Sequence, residues 1–126
     1  MNILSIDYGD VRIGLAYGSD EHKIALPLKV IQNDSLLKQS IQDIIQTYHI
    51  EHILVGIPLN FSSQDTQQTQ KVRQFIHQLS QWYDGSIEEV DERLTSALAQ
   101  RYISKKQSID IESARILLEE WFTQII

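Results

Sequence analysis

The run Ile3-Leu4-Ser5-Ile6 rises almost without polar interruption to Asp7. A strand that lacks the alternation of a half-solvated one is stable only when both its faces are covered, so this segment predicts a buried strand with helices on the faces of its sheet. Gly9 and Asp10 then mark a tight turn, and Arg12 to Tyr17 reads as a second strand that completes a hairpin. Ile24 to Ile31 is a third extended stretch; its Pro27 cannot donate to a central ladder and suits an edge strand or a bulge.

Helical spacing follows. Asn33-Asp34-Ser35 supplies helix-start chemistry, and Leu36, Leu37, Ile41, Ile44, Ile45 and Tyr48 recur at helical steps behind it. Ile53 to Ile57, ended by Pro58, reads as a buried strand. A second helix is expected from Asp65 to Tyr83, with Val72, Phe75, Ile76, Leu79 and Tyr83 on one face. Asp84-Gly85 closes it, and Ser86 to Val90 is a strand leading into Asp91-Glu92-Arg93. Leu94, Leu98 and Tyr102 indicate a short helix, and Ala114, Leu117, Leu118, Trp121 and Ile125 a last one. The order β-β-β-α-β-α-β-α-α implies an α/β protein with a mixed five-stranded sheet and helices on both faces, an order that matches the ribonuclease H-like fold. No repeat, charge block or Gly/Ser linker divides the 126 residues, so 1–126 reads as a single domain large enough to bury a core without staples.

Composition removes several kinds of chemistry. With no cysteine, disulfides, thiolate metal sites and a cysteine nucleophile are excluded. No apolar run approaches the ~20 residues needed to cross a bilayer, and the opening Met1-Asn2-Ile3-Leu4 has no basic region, so a cytoplasmic protein without membrane contact is expected. The net charge of −6 argues mildly against holding nucleic acid by bulk electrostatics, although it leaves room for a local basic strip.

Three acids break the apolar logic around them. Asp7 ends the first buried strand, where a carboxylate is costly unless paired, hydrogen-bonded or metal-bound; capping the following turn is the alternative duty. Asp91 and Glu92 follow directly on a strand, where α/β sheets usually place their sites. Asp91 suits the N-terminus of the next helix, which leaves Glu92 as the sharper candidate. Because strand residues alternate faces, both cannot point at one ion unless the strand ends between them. Asp110 falls on the same helical face as Ala114, Leu117, Leu118 and Trp121, so a stripe that should dock on the sheet begins with a carboxylate; an N-cap or first-turn role is its alternative. Hard oxygen ligands without His or Cys select Mg²⁺ or Mn²⁺. Paired ions of that kind activate water and stabilise the leaving oxygen of a phosphodiester. The histidines, His22, His49, His52 and His77, show no such convergence and read mostly as surface residues. Lys71 and Arg73, and Arg101 with Lys105 and Lys106, are candidate phosphate contacts; an ordinary solvated helix face is the alternative.

Four blocks resemble the YqgF (RuvX) family, the pre-16S rRNA nucleases or Holliday junction resolvases. Ile6-Asp7-Tyr8-Gly9 with Arg12-Ile13-Gly14-Leu15-Ala16 is similar to the family's opening strand and hairpin. Val55-Gly56-Ile57-Pro58-Leu59-Asn60, with Val72-Arg73-Gln74-Phe75 downstream, is similar to its middle signature. Asp91-Glu92-Arg93-Leu94-Thr95-Ser96 resembles the third, and Asp110 with Ala114 and Ile116-Leu117-Leu118 resembles the C-terminal helix. The resemblance runs nearly end to end. It implies a divalent-metal phosphodiesterase in which Asp7, Glu92 and Asp110 are the catalytic, metal-binding acids. Arg12 and Arg93 become phosphate or structural contacts, and Asn60 and Arg73 belong to the substrate-binding set.

The expected activity is endonucleolytic processing of the 5′ end of pre-16S rRNA during ribosome biogenesis, on a ribosomal precursor particle, by a monomer or homodimer. The alternatives are a Holliday junction resolvase acting on branched DNA and a non-catalytic RNA-binding assembly factor. The chain departs from the family pattern at Asp10 and Val11, where a small or polar residue followed by Lys is usual. It departs again at Phe61-Ser62-Ser63-Gln64-Asp65, which replaces a Gly-containing stretch, and at Ser113, where alanine is usual.

Overall fold

The computed structural model describes residues 1–59, 64–91 and 106–124, with the side chains of 106–111 and 124 excepted. The described elements are β1 (Asn2–Asp7), β2 (Arg12–Ser19), β3 (Ile24–Gln32), α1 (Leu37–Thr47), β4 (His52–Ile57), α2 (Gln67–Trp82), β5 (Ser86–Asp91) and α3 (Lys106–Gln124). The helix expected around Leu94, Leu98 and Tyr102 lies outside the described residues, as does Ile125.

The strands form one mixed sheet in the order β3-β2-β1-β4-β5. β2 runs antiparallel to β1 and β3, whereas β1, β4 and β5 are mutually parallel. The apolar opening run therefore takes the central strand, and Ile3, Leu4, Ser5 and Ile6 are all fully buried. Pro27 meets both of its expected conditions: β3 is an edge strand, and its pairing with β2 slips between Leu15 and Ala16, which face Lys29 and Pro27 respectively. The missing proline N–H thus falls where the ladder is already irregular.

Each face of the sheet has its own core. Leu4, Ile6, Ile53 and Val55 pack with Leu37, Ile41 and Ile44 of α1 and with Val72, Phe75 and Leu79 of α2. Ile3, Ala25 and Leu54 meet Leu118, Trp121 and Phe122 of α3 on the other side. Fully burying one such side chain is worth roughly 1.5–3 kcal/mol, so the sheet is held mainly by these two layers. Among the described residues, no helix is long and apolar enough to cross a membrane.

The helices start differently from the sequence expectation. At α1, Asp34 accepts the Leu36 N–H at 2.9 Å, forming a turn ahead of the helix, and no side chain caps the helix itself. α2 begins at Gln67, two residues after Asp65, behind an unforeseen capping box. The Thr66 hydroxyl accepts the Thr69 N–H at 3.2 Å, and the Thr69 hydroxyl accepts the Thr66 N–H at 2.9 Å. Threonine stands there where Glu or Gln is the usual signal. Thr69 also donates to the Pro58 carbonyl, fastening the first turn of α2 to the end of β4. His22, His49 and His77 are exposed as expected, but His52 is buried, with both ring nitrogens bonded.

Candidate active site

Strand parity sorts the acids. On β1, Ile3, Ser5 and Asp7 face α3, and this row becomes more polar towards the C-terminal end of the strand. The Ser5 hydroxyl is buried with no protein partner among the described residues, and Asp7, two residues on, is half-buried. The register continues the row across the sheet, Ser5 pairing with Leu54 and Leu54 with Glu88. Val90 packs with the α3-side core, so Ser86, Glu88 and Val90 share that face. Glu89 and Asp91 face the α2 side, and Glu89 pairs there with Arg73. β5 ends at Asp91, so Asp91 does not share the face of Asp7. Glu92 and Arg93, like Asn60, lie outside the described residues.

α3, which carries Asp110, covers the face of the sheet on which Asp7 lies. A Cβ on Gly18 would come within 3.1 Å of the Leu118 side chain, and Gly18 pairs with Ile3. Trp121 packs its ring against His52, which also pairs with Ile3. The C-terminal half of α3 thus lies over the beginning of β1, and the helix packs against β2, β3 and β1. Four strand residues from Ile3 to Asp7 span roughly 13 Å. Asp110 lies eight residues before Leu118, roughly 12 Å along the helix. Asp110 is also the fifth residue of the helix, beyond the first turn whose N–H groups need a cap. The capping duty considered for it therefore falls away.

The turn between β1 and β2 is held from three sides. A Cβ at Gly9 would collide with the Arg12 carbonyl oxygen, which accounts for glycine there. Asn33 donates from Nδ2 to the Gly9 carbonyl at 2.9 Å and to the Tyr8 hydroxyl at 3.0 Å. Tyr8 stacks on Phe75 of α2 at 4.7 Å. Sequence reading gave Asn33 only to the start of a helix; nothing local distinguishes that duty from bracing a turn 24 residues upstream. Arg12 opens β2 half-buried beside this turn.

Arg73, expected to contact substrate, is engaged within the protein. Its Nε and Nη2 form a fork to the Asp65 carboxylate at 3.1 and 3.2 Å, and its Nη1 reaches both oxygens of Glu89 at 2.9 and 2.8 Å. The hydrogen bond to Asp65, followed by the charges of Glu89 and Asp65, holds the guanidinium above its ordinary pKa. Lys71, two residues earlier on the same helix, lies 3.2 Å from Asp10. Among the described residues no group of three His, Asp or Glu side chains is gathered closely enough to hold an ion. The proposed donor set draws two of its three side chains from outside them, and its all-oxygen chemistry fits a hard divalent cation.

A family model described as "RuvX: Holliday junction resolvase" matches residues 1–124. The chain belongs to the RuvX family. Relatives of this RuvX-family chain include a "Putative pre-16S rRNA nuclease" of Maridesulfovibrio salexigens, 33% identical, with 98% of this chain and 99% of that protein covered. Another of the same name, from Sulfurihydrogenibium sp., is 33% identical with 98% and 90% covered. Among solved structures, Thermus thermophilus RuvC in complex with a Holliday junction substrate superposes with a TM-score of 0.66 at 12% identity, over 99% of this chain and 96% of that one. The fowlpox virus resolvase bound to Holliday junction DNA gives 0.63 at 13% identity, over 100% and 99%. These likenesses establish the ribonuclease H-like fold for this RuvX-family chain, and family and fold together are those of nucleases.

Proposed function

We propose that this protein is a divalent-metal-dependent endonuclease that trims the 5′ end of pre-16S rRNA on a ribosomal precursor particle in the cytoplasm. The observation that carries the reading is the half-buried Asp7 at the C-terminal end of the central strand, on the face covered by the helix that carries Asp110. The near end-to-end match to relatives named "Putative pre-16S rRNA nuclease" supports the choice of substrate.

Asp7, Glu92 and Asp110 are the residues that hold Mg²⁺ or Mn²⁺ in this reading. Such ions supply Lewis-acid chemistry when bound, activating water and stabilising the leaving oxygen of a phosphodiester. The chain itself supplies rigidity and charge. Asp7 is held by its pairing with Gly14 of β2, and the preceding Ile6 by its pairing with Val55 of β4. Arg12 and Arg93 take the flanking phosphates, and Asn60 belongs to the substrate-binding set. Arg73 acts as the brace that joins α2 to β5. The family description favours a second reading, resolution of branched DNA, which calls for a homodimer because two strands must be cut symmetrically.

The test is cleavage of precursor 16S rRNA and of a four-way DNA junction, with Mg²⁺ or Mn²⁺ present or chelated, by wild type and Asp7→Asn. The proposal expects metal-dependent cutting of the RNA that falls at least ~100-fold in the variant, with the melting temperature kept. Junction cutting alone selects the resolvase. Binding of RNA by both proteins without cutting selects a non-catalytic assembly factor.

A further inference from the structure

Two cations of α2, Lys71 and Arg73, are paired with carboxylates, but in different ways. Arg73 spans Asp65 and Glu89 through four hydrogen bonds, so releasing it breaks both pairs at once. Lys71 meets Asp10 through a single 3.2 Å contact, and both side chains are about half exposed, at 54% and 53%. A pair of that kind contributes little to stability and exchanges partners readily.

Its position is nevertheless well defined. Asp10 is three residues beyond Asp7, on the turn braced by Asn33, and Tyr8 of that turn stacks on Phe75, one helical turn from Lys71 on the same face of α2. Val11, next to Asp10, is 68% exposed and carries no charge. The Asp10 carboxylate and the Lys71 ammonium thus meet on the turn that follows Asp7.

We propose that Lys71 is a substrate-phosphate contact and that Asp10 holds its place as an internal stand-in for that phosphate, so that nucleic acid binds by exchanging one anion for the other. The inference rests on the nuclease reading and deepens it. The exchange has a thermodynamic signature. A lysine already neutralised by Asp10 adds no net charge compensation on binding, whereas an unpaired one adds one phosphate's worth to the salt dependence.

The experiment is equilibrium binding of a fluorescent RNA spanning the pre-16S 5′ end, and of a four-way DNA junction, across a salt series. Wild type, Asp10→Asn, Lys71→Gln and the double variant are compared. Asp10→Asn is expected to bind about 3- to 10-fold tighter at low salt and to steepen the slope of log K against log[salt] by about 0.7–0.9. Lys71→Gln weakens binding, and the double variant loses both gains. An unchanged affinity and slope in Asp10→Asn overturns the exchange. A gain that survives in the double variant overturns it too, because general relief of repulsion then explains the effect without Lys71. If wild type binds neither nucleic acid, the nuclease reading fails first and the exchange fails with it. If it binds and the variants do not respond, the exchange alone is wrong.

Discussion

The parallel strands β1, β4 and β5 have two ends, and the protein furnishes them in opposite ways. At their beginnings, Glu88 spends one oxygen on His52 Nε2 at 3.2 Å and the other on Trp121 Nε1–H at 3.0 Å. His52 completes the set with Ser86 Oγ at 2.5 Å from Nδ1, and its ring lies against the Trp121 indole. One carboxylate thereby joins two strands to the helix that covers them. At the other end, Asp10 faces a single lysine, Asp65 and Glu89 share one arginine, and Asp7 stands half-buried where its strand stops. Carboxylates at the first end are locked by donors that have nowhere else to go. Asp10, Asp65 and Glu89 at the second end are paired instead with cations that are themselves about half exposed to water. The difference teaches that an acid's duty here follows from whether its partners are buried, which its residue type does not reveal.

The largest expected effect lies at the locked end. Trp121→Ala removes a buried ring and the Glu88 contact together, and should cost about 3–5 kcal/mol in denaturant unfolding. If the remaining folded protein, assayed well below its melting point, cleaves at the wild-type rate, the two ends are independent. A rate that falls in step would show them coupled through α3 and would break the comparison. Glu88→Ala is next, at about 1–3 kcal/mol, because it leaves the Trp121 N–H and a ring nitrogen of His52 without an acceptor or partner. A loss below half a kilocalorie would mean that solvent replaces Glu88 freely.

Smaller effects are expected where pairs are exposed. Arg73→Gln should lower stability by less than about 1 kcal/mol, since its partners are left facing solvent. An RNA affinity reduced less than about threefold would identify Arg73 as a brace, whereas a tenfold loss would restore it as a phosphate contact. Within α3, the Arg115 hydrogen bond holds the Glu112 carboxyl below its usual 4.5, against the opposing effect of partial burial. The native state therefore favours the ionised form. That stabilisation is present above pH 4.5 and is lost as pH falls through the lowered native value. Stability curves of wild type and Glu112→Gln should converge as the pH drops below 4.5, by well under about 1 kcal/mol; curves that stay parallel would remove this pair from the acid response.

Much of the described fold was legible because most of its strands and helices advertise their burial by periodicity. β1 reads as a doubly covered strand from Ile3 to Ile6, and Pro27 reads as an edge or bulge residue; both features appear in the sheet. What stayed hidden depends on distance in sequence. The capping role of Thr66 and Thr69 uses an atypical residue pair, and His52 has no local sign that Trp121 and Glu88 will enclose it. Asp7 was legible as an anomaly at a strand end. The pairing of Lys71 with Asp10, 61 residues apart, was not, because charge patterns reveal partners only within a helix turn or a strand pair.

The layering of two separate cores carries a consequence for synthesis. Strands β1 to β5, with α1 and α2, all precede α3, so a chain emerging from the ribosome can cover one side of its sheet before the other has any cover available. Until α3 arrives, Ile3, Ala25 and Leu54 form a bare apolar floor that invites association with other nascent chains. The segment that closes this floor is also the one that carries Asp110. Protection from aggregation and completion of the proposed catalytic set therefore come in a single late step, and a chain stalled before that step has neither.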